Sequence, residues 1–243
     1  MIKSYQKRNS LRVLITGASR GIGRSLAEYY KNKGFEVYGI ARDEEKLKEV
    51  CDKYFVCDLS NLEEVSKISK KLSDVKFDLI ILNAGISTPH SSDFPPLSAF
   101  KKVFDVNLLS IHALLEHIDF KSSKLVFISS LASLLGAPTS LAYSASKRAL
   151  NSYAQSLYFA GIDVVLILPG FIKTDMTKNH EFHMPFLMDL DEATKRIVKI
   201  IEKDKFFNPF PLRFYYIIKL FSLLPDNLKR KILKKYAKSD IVE

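Results

Sequence analysis

Along the chain, short unbroken apolar runs alternate with longer stretches in which apolar residues return every three or four positions. An unbroken run suits a strand buried on both faces, and the three-to-four period suits a helix with one buried side. Val13-Leu14-Ile15-Thr16 predicts the first strand, followed by a helix to about residue 33 with Leu26, Ala27 and Tyr30 inward. Further strands are predicted at 35–40, 54–57, 77–82, 124–129 and 162–168. Helices are predicted at 44–51, 62–72 and 97–118, through Tyr143 to residue 159, and at 191–203 with Asp191 as N-cap. Regular strand–helix alternation predicts an α/β chain whose parallel sheet lies between two helical layers.

The pattern changes after residue 203. A last strand is expected at 205–210, followed by 212–224, apolar almost all round and broken only by Arg213, Lys219 and Ser222. Beyond Pro225, residues 226–238 predict a basic amphipathic helix with Leu228, Ile232, Leu233 and Tyr236 on one face. Residues 205–243 hold nine Lys/Arg against three Asp/Glu, a net of +6 within a whole-chain +10. The basic character therefore belongs mainly to this extension. Two uses fit it. The apolar helix covers a substrate cleft or a subunit interface, or the pair lies on an anionic membrane surface. No recognised nucleic-acid-binding motif accompanies the charge, so nucleic acid is not an expected partner.

Composition narrows the class. With 243 residues and 47% hydrophobic content, the chain suits one α/β domain rather than disorder. No repeat or linker divides it, so 1–243 is expected to be a single domain, with 205–243 as last strand and helical extension. Cys51 and Cys57 are too few for a disulfide scaffold, and Cys57, closing an apolar run, is expected to be a buried small hydrophobe. The opening residues lack the apolar run of a signal peptide, and no apolar stretch reaches a membrane span. The expected location is cytoplasmic, with a peripheral membrane contact through 212–238 as the alternative. His180 and His183 are three apart, but no Cys or further His joins them nearby, so no metal is expected.

Candidate chemistry begins at Thr16-Gly17-Ala18-Ser19-Arg20-Gly21-Ile22-Gly23. A glycine-rich turn between a strand and a helix lets backbone N–H groups and the helix dipole approach a pyrophosphate. The expected fold is thus a three-layer doubly wound parallel sheet, a Rossmann fold, with the helical extension added. A carboxylate at the end of the second strand would bind the ribose 2′-hydroxyl of NAD, but Ala41 and Arg42 stand there. Arg42 and Arg20 suit a 2′-phosphate, which favours NADP(H). Asp43 nearby keeps NAD(H) open, and the bland alternative for Arg42 is a surface charge paired with Glu44 or Glu45.

Tyr143-Ser144-Ala145-Ser146-Lys147 lies thirteen residues after Ser130. Residues four apart share a helix face, so phenol and ammonium can enter one cleft. A nearby cation is expected to lower a phenol's usual pKa of about 10 and make it a proton donor and acceptor.

With these motifs together, the chain resembles the short-chain dehydrogenase/reductases in their single-domain form over about residues 11–203. The carrying residues are the glycine turn, Asp58-Leu59, Asn83-Ala84-Gly85, Asn107, Ser129-Ser130, the Tyr143–Lys147 motif and Pro169-Gly170-Phe171-Ile172-Lys173-Thr174. The resemblance implies hydride exchange between nicotinamide C4 and a carbonyl or alcohol carbon. It implies that Tyr143 is the acid/base, with Lys147 lowering its pKa and holding the nicotinamide ribose. It implies that Ser130 binds the substrate oxygen and that Asn107 holds a water in a proton relay. Asp58 would meet the adenine amino group, Asn83 to Gly85 the adenosine ribose, and Ile172 and Thr174 the carboxamide, with Gly17, Ser19, Gly21, Ile22, Gly23, Leu59, Pro169 and Gly170 around the dinucleotide. A substrate lid is implied at 175–189, where Met176, Phe182, Met184, Phe186 and Met188 would form an apolar wall. Ser129 is expected to point away from the chemistry. Ser133, standing where many relatives have glycine, is expected to matter little. A homodimer or homotetramer through helices 97–118 and 143–159 is implied. Two departures are open: the family's glycine-rich acidic ending is missing, and a catalytically silent NADP-binding regulator would keep the same fold.

Overall fold

In the computed structural model of the protein, residues 10–87, 94–136, 138–178 and 184–239 are described, with backbone alone at 139 and 235–239. Seven parallel strands form one sheet in the order β3-β2-β1-β4-β5-β6-β7. They are β1 (Arg12–Thr16), β2 (Glu36–Ala41), β3 (Lys53–Val56), β4 (Leu79–Leu82), β5 (Lys124–Ile128), β6 (Val164–Pro169) and β7 (Phe207–Phe210). Central strands such as β4 and β6 are buried along their whole length, which is why their sequences are continuous apolar runs rather than alternating ones.

Successive residues of each strand face opposite layers. Leu14, Ile80, Leu82, Leu125, Phe127 and Leu166 join one core with α3 (Leu62–Lys71), α5 (Ser110–Leu115) and α6 (Leu141–Phe159). Val13, Ile15, Ile81, Val126, Val165 and Ile167 join the other with α1 (Gly21–Asn32), α2 (Glu44–Val50) and α7 (Leu190–Lys203). Leu26, Ala27, Tyr30 and Cys57 are buried as expected. The expected N-cap of α7 moves: Asp189 occupies it, and Asp191 sits in the first turn, where a carboxylate still complements the helix dipole.

The expected helix at 97–118 is interrupted. α4 (Leu97–Phe104) passes through a π turn, Asp105–Leu109, before continuing as α5. A π turn inserts a residue into the helical register and re-aims the side chains around it; here it contains Asn107, which is fully buried. After β7 and a cis Phe210-Pro211 peptide, α8 (Leu212–Ser222) and α9 (Asp226–Ser239) complete the described chain. Among the described residues, no helix is long and apolar enough to cross a membrane.

Candidate active site

The strand order reverses between β1 and β4, and in such sheets a crevice forms outside the carboxyl ends of the strands. A cleft of about 1000 Å³ occupies this position, lined by the segments that leave β1, β4, β5 and β6. The β1 and β4 exits are clasped together: Thr16 Oγ1 accepts from the backbone N–H of Asn83 (3.0 Å) and Ala84 (3.1 Å), while Asn83 Nδ2 donates to Thr16 O (3.0 Å).

The glycine turn fits a close ligand by what it excludes. Gly17 has φ 71°, in the left-handed region that favours glycine. A Cβ on Gly23 would lie 2.2 Å from Gly17 O and 2.5 Å from Asn83 Nδ2, so nothing larger fits behind the turn. The N-terminus of α1 thereby faces the cleft through Ser19, Arg20, Gly21 and Ile22. Arg20 and Arg42 both line the cleft and hold no ion-pair partner among the described residues. Glu44 and Glu45 instead pair with Lys48 at 3.2 and 2.8 Å, so the surface-pair alternative for Arg42 is not what the structure has. Asp43 is turned away into capping α2, accepting from Lys46 N at 3.2 Å. Asp58, also in the lining, accepts from Ser60 N and Oγ at 3.0 and 2.9 Å; the bond from the backbone, chiefly, holds its pKa below the usual carboxylate range.

At the other end, Ser130, Tyr143 and Lys147 converge on the cleft. The Ser130 hydroxyl accepts from Ala132 N at 3.1 Å and acts on the Tyr143 phenol, favouring its ionised form. Lys147 is 3% exposed, donates to Ile128 O at 2.9 Å and lies 5.9 Å from the centre of the Tyr143 ring. Burial lowers its pKa to about 8. The expected lowering of the Tyr143 pKa is overturned. Burial pushes the phenol above its ordinary value, and the Ser130 bond offsets only part of that. Tyr143 is half-buried and lines the cleft, and the ammonium is directed to a backbone carbonyl rather than to the phenol oxygen.

The remaining expected residues divide. Leu59, Ala84, Gly85, Pro169, Gly170, Ile172 and Thr174 line the cleft. Asn107 stands behind its wall: Oδ1 accepts from Ile86 N (2.8 Å), and Nδ2 donates to Ile86 O (3.0 Å) and Ser146 Oγ (2.9 Å). Its amide ties the β4 exit to α6. Ser129 also lines the cleft, but its hydroxyl is engaged elsewhere, donating to Asn151 Oδ1 at 2.5 Å. Ser133 is more consequential than its position suggested. Buried at 2% exposure, it donates to Ser130 O (2.6 Å) and accepts from Asn151 Nδ2 (2.7 Å). Asn151 was not anticipated, although its place four residues after Lys147 puts it on the same helix face.

In the expected lid, Met176 and Phe186 line the cleft, but Met188 is buried in the core shared with α7 and Met184 is not in the lining. Met188 is drawn in because the chain closes on itself there, with Ile172 and Met188 in a β-bridge and Met188 N donating to Phe171 O at 3.0 Å. His180, Phe182 and His183 lie outside the described residues. Phe214, Ile217, Ile218 and Phe221 of α8, with Ile232 and Leu233 of α9, complete the lining. Of the uses open to the extension, covering the cleft is therefore present; Phe214 stacks on Phe171 and meets Phe186 at a tilt, each with ring centres 5.8 Å apart.

Comparison with known proteins agrees with this geometry. Residues 12–184 match the model of a family described as short chain dehydrogenase. An uncharacterized oxidoreductase of Myxococcus xanthus is 29% identical, over 88% of this chain and 93% of that protein. The 3-oxoacyl-[acyl-carrier-protein] reductase FabG of Rickettsia prowazekii is 36% identical, over 68% of this chain and 73% of the relative. Among solved structures, a short chain dehydrogenase from Burkholderia cenocepacia in complex with NADP superposes with a TM-score of 0.77 at 23% identity, covering 92% of this chain and 98% of the other. One from Sphingobium yanoikuyae in complex with NADPH gives 0.76 at 21% identity, covering 88% and 96%. At that identity these structures speak for the fold.

Proposed function

We propose a function from one premise: the chain belongs to the short-chain dehydrogenase/reductase family and is an NAD(P)-dependent oxidoreductase. In our reading it interconverts a carbonyl and an alcohol, uses NADP(H) in preference to NAD(H), and takes a substrate with an apolar body. The observation that carries this is the meeting of Ser130, Tyr143 and Lys147 in one cleft whose far end holds two guanidiniums with no ion-pair partner among the described residues.

The glycine turn, with the N-terminus of α1, would hold the pyrophosphate. Arg20 and Arg42 would grip the 2′-phosphate, and Asp58 with Leu59 the adenine. Asn83, Ala84 and Gly85 would border the adenosine ribose, and Ile172 and Thr174, beside Pro169 and Gly170, the carboxamide. When bound, the dinucleotide supplies or accepts hydride at nicotinamide C4. Ser130 and Tyr143 donate hydrogen bonds to the substrate oxygen, where negative charge develops. Tyr143 gives up its phenolic proton as general acid, and takes it back in the oxidative direction. Lys147, with a pKa of about 8, exchanges a proton near neutral pH and binds ribose hydroxyls. Asn107 acts as a positioning residue, holding the β4 exit against α6. Phe171, Met176, Phe186, Phe214 and Phe221 support an apolar substrate body. The name of the Rickettsia relative, a 3-oxoacyl reductase, points to the same substrate type. The chain works as one domain, and Leu109 and Phe159, 42% and 74% exposed, support a homodimer or homotetramer through the helices that carry them.

The test is fluorescence titration with NADPH and NADH, then NADPH oxidation against aldehydes, ketones, quinones and 3-oxoacyl thioesters. The expected result is tighter NADPH binding, with turnover that disappears in Tyr143→Phe while binding survives. Binding with turnover on no compound supports the silent regulator instead. Failure to bind either nucleotide overturns the site.

A further inference from the structure

α8 has two apolar sides. Phe214, Ile218 and Phe221 face the cleft and the core, with Ile218 buried. On the opposite side Leu212, Tyr216, Leu220 and Leu223 are 56%, 60%, 69% and 76% exposed. Spacings of four, four and three place them in one stripe along the helix. A continuous row of large apolar side chains left in water marks an interaction surface, unlike scattered single ones.

The exposed charge on the two helices that lacks an ion-pair partner among the described residues is of one sign. Arg213 and Lys219 are exposed on α8, and Arg230, Lys231 and Lys234 on α9. None of the five has an ion-pair partner among the described residues, whereas Asp226, the only acidic residue of α9, is engaged by Lys229 at 2.6 Å. No acidic residue occurs between Lys205 and Pro225. The two helices act together, since Lys229 Nζ donates to Ser222 O at 3.3 Å and both contribute to the cleft.

Three occupants can be weighed. A second copy would bring the same cations to a self-complementary contact, where they repel. An acidic protein would answer the charge, but the four-residue apolar stripe would then need a matching groove. An anionic lipid surface answers both features: the stripe enters the acyl boundary while lysines and arginines meet the headgroups. We propose that α8 and α9 dock this protein peripherally on anionic membranes. Ile217 and Phe221 line the cleft from the same helix, so docking brings the mouth of the cleft to the source of lipophilic substrates. Substrate delivery rests on the proposed function; the docking does not.

The test is sedimentation of the full chain with phosphatidylcholine vesicles, with and without phosphatidylserine, at low and high salt. Binding is expected only with phosphatidylserine, and salt should weaken it. Lys231→Glu with Lys234→Glu is expected to lower partitioning by about 30-fold or more, since each basic residue near such a surface is worth about fivefold. Leu220→Glu with Leu223→Glu should abolish it, with NADPH affinity and melting temperature unchanged. Absence of vesicle binding overturns the proposal. So does vesicle binding that survives the leucine substitutions, which marks a purely electrostatic site for an acidic macromolecule. A fall in oligomer mass in the leucine variant also overturns it, by assigning the stripe to an interface between copies. Vesicle binding without NADPH binding would overturn the enzymatic reading and leave the docking intact.

Discussion

Gly23→Ala adds one methyl group at the most confined point of the glycine turn. Its Cβ would stand 2.2 Å from Gly17 O, more than 1 Å inside ordinary contact, and 2.5 Å from Asn83 Nδ2. Neither neighbour is free to yield. Gly17 N donates to Ile40 O at 2.8 Å, and Asn83 Nδ2 donates to Thr16 O at 3.0 Å. Relief therefore displaces backbone and strains the clasp between β1 and β4. Overpacking of this kind costs about 1–3 kcal/mol, and each hydrogen bond weakened adds about 1 kcal/mol. A loss of about 2–4 kcal/mol lowers the melting temperature by roughly 5–15 °C in a chain of this length. The same displacement moves the turn away from the pyrophosphate, so NADPH affinity should fall at least tenfold. The assay pairs thermal unfolding by circular dichroism with NADPH fluorescence titration. Gly136→Ala serves as control, because a Cβ there meets nothing within 4 Å. If Gly23→Ala melts and binds NADPH as the parent does, the account of the turn is wrong.

Three further outcomes are expected. Arg42→Ala should weaken NADPH binding by about 10- to 100-fold, the range of a lost charge-assisted bond, while NADH binding changes little; equal losses for both would remove Arg42 from the 2′ position. Ser133→Ala deprives Asn151 Nδ2 of its acceptor, while Ser130 O keeps the Ser133 backbone N–H at 3.1 Å; an unsatisfied buried group costs about 1–3 kcal/mol, so urea midpoints should fall and kcat should drop more than KM rises, and an unchanged midpoint would refute this. For Lys147, whose folded pKa is lowered to about 8, the unfolded chain keeps the proton longer as pH rises. Its burial penalty is thus fully present below pH 8 and is relieved as pH rises from 8 toward the ordinary lysine value, so stability should gain up to about 1.4 kcal/mol per pH unit. Cys51, pushed up to about 11 by burial, acts in the opposite sense above its ordinary value; the comparison is therefore the difference in urea stability between parent and Lys147→Met, and a difference flat between pH 8 and 9 would contradict the assignment.

Much of this was legible in the chain because a doubly covered parallel sheet writes itself as unbroken apolar runs, and because backbone-fitting turns require glycine. Leu79 to Leu82 and the turn at Gly17 to Gly23 are cases where local sequence and final structure obey the same constraint. Other features depend on what is far away in sequence. The π turn around Asn107 has no local signature. Met188 is apolar enough for either the cleft or the core, and only the bridge to Ile172 decides between them. The direction of the Tyr143 shift depends on how deeply the phenol is set and where the Lys147 ammonium points, neither of which spacing reveals. The apolar run at 212–224 announced a buried face without saying that a second face would stay exposed.

The Thr16–Asn83 clasp also bears on how the chain acquires its ligand. It joins residues 67 positions apart, across the whole β2–β3 excursion, so closing it bears the loop entropy of that separation. Helices such as α1 form locally and early, but the floor on which a nucleotide would rest exists only once β1 and β4 lie side by side. During refolding, nucleotide capture should therefore lag behind helical signal and report the moment the two halves of the sheet register. A ligand that recognises only that closed arrangement selects it from the partly folded population and holds the chain there.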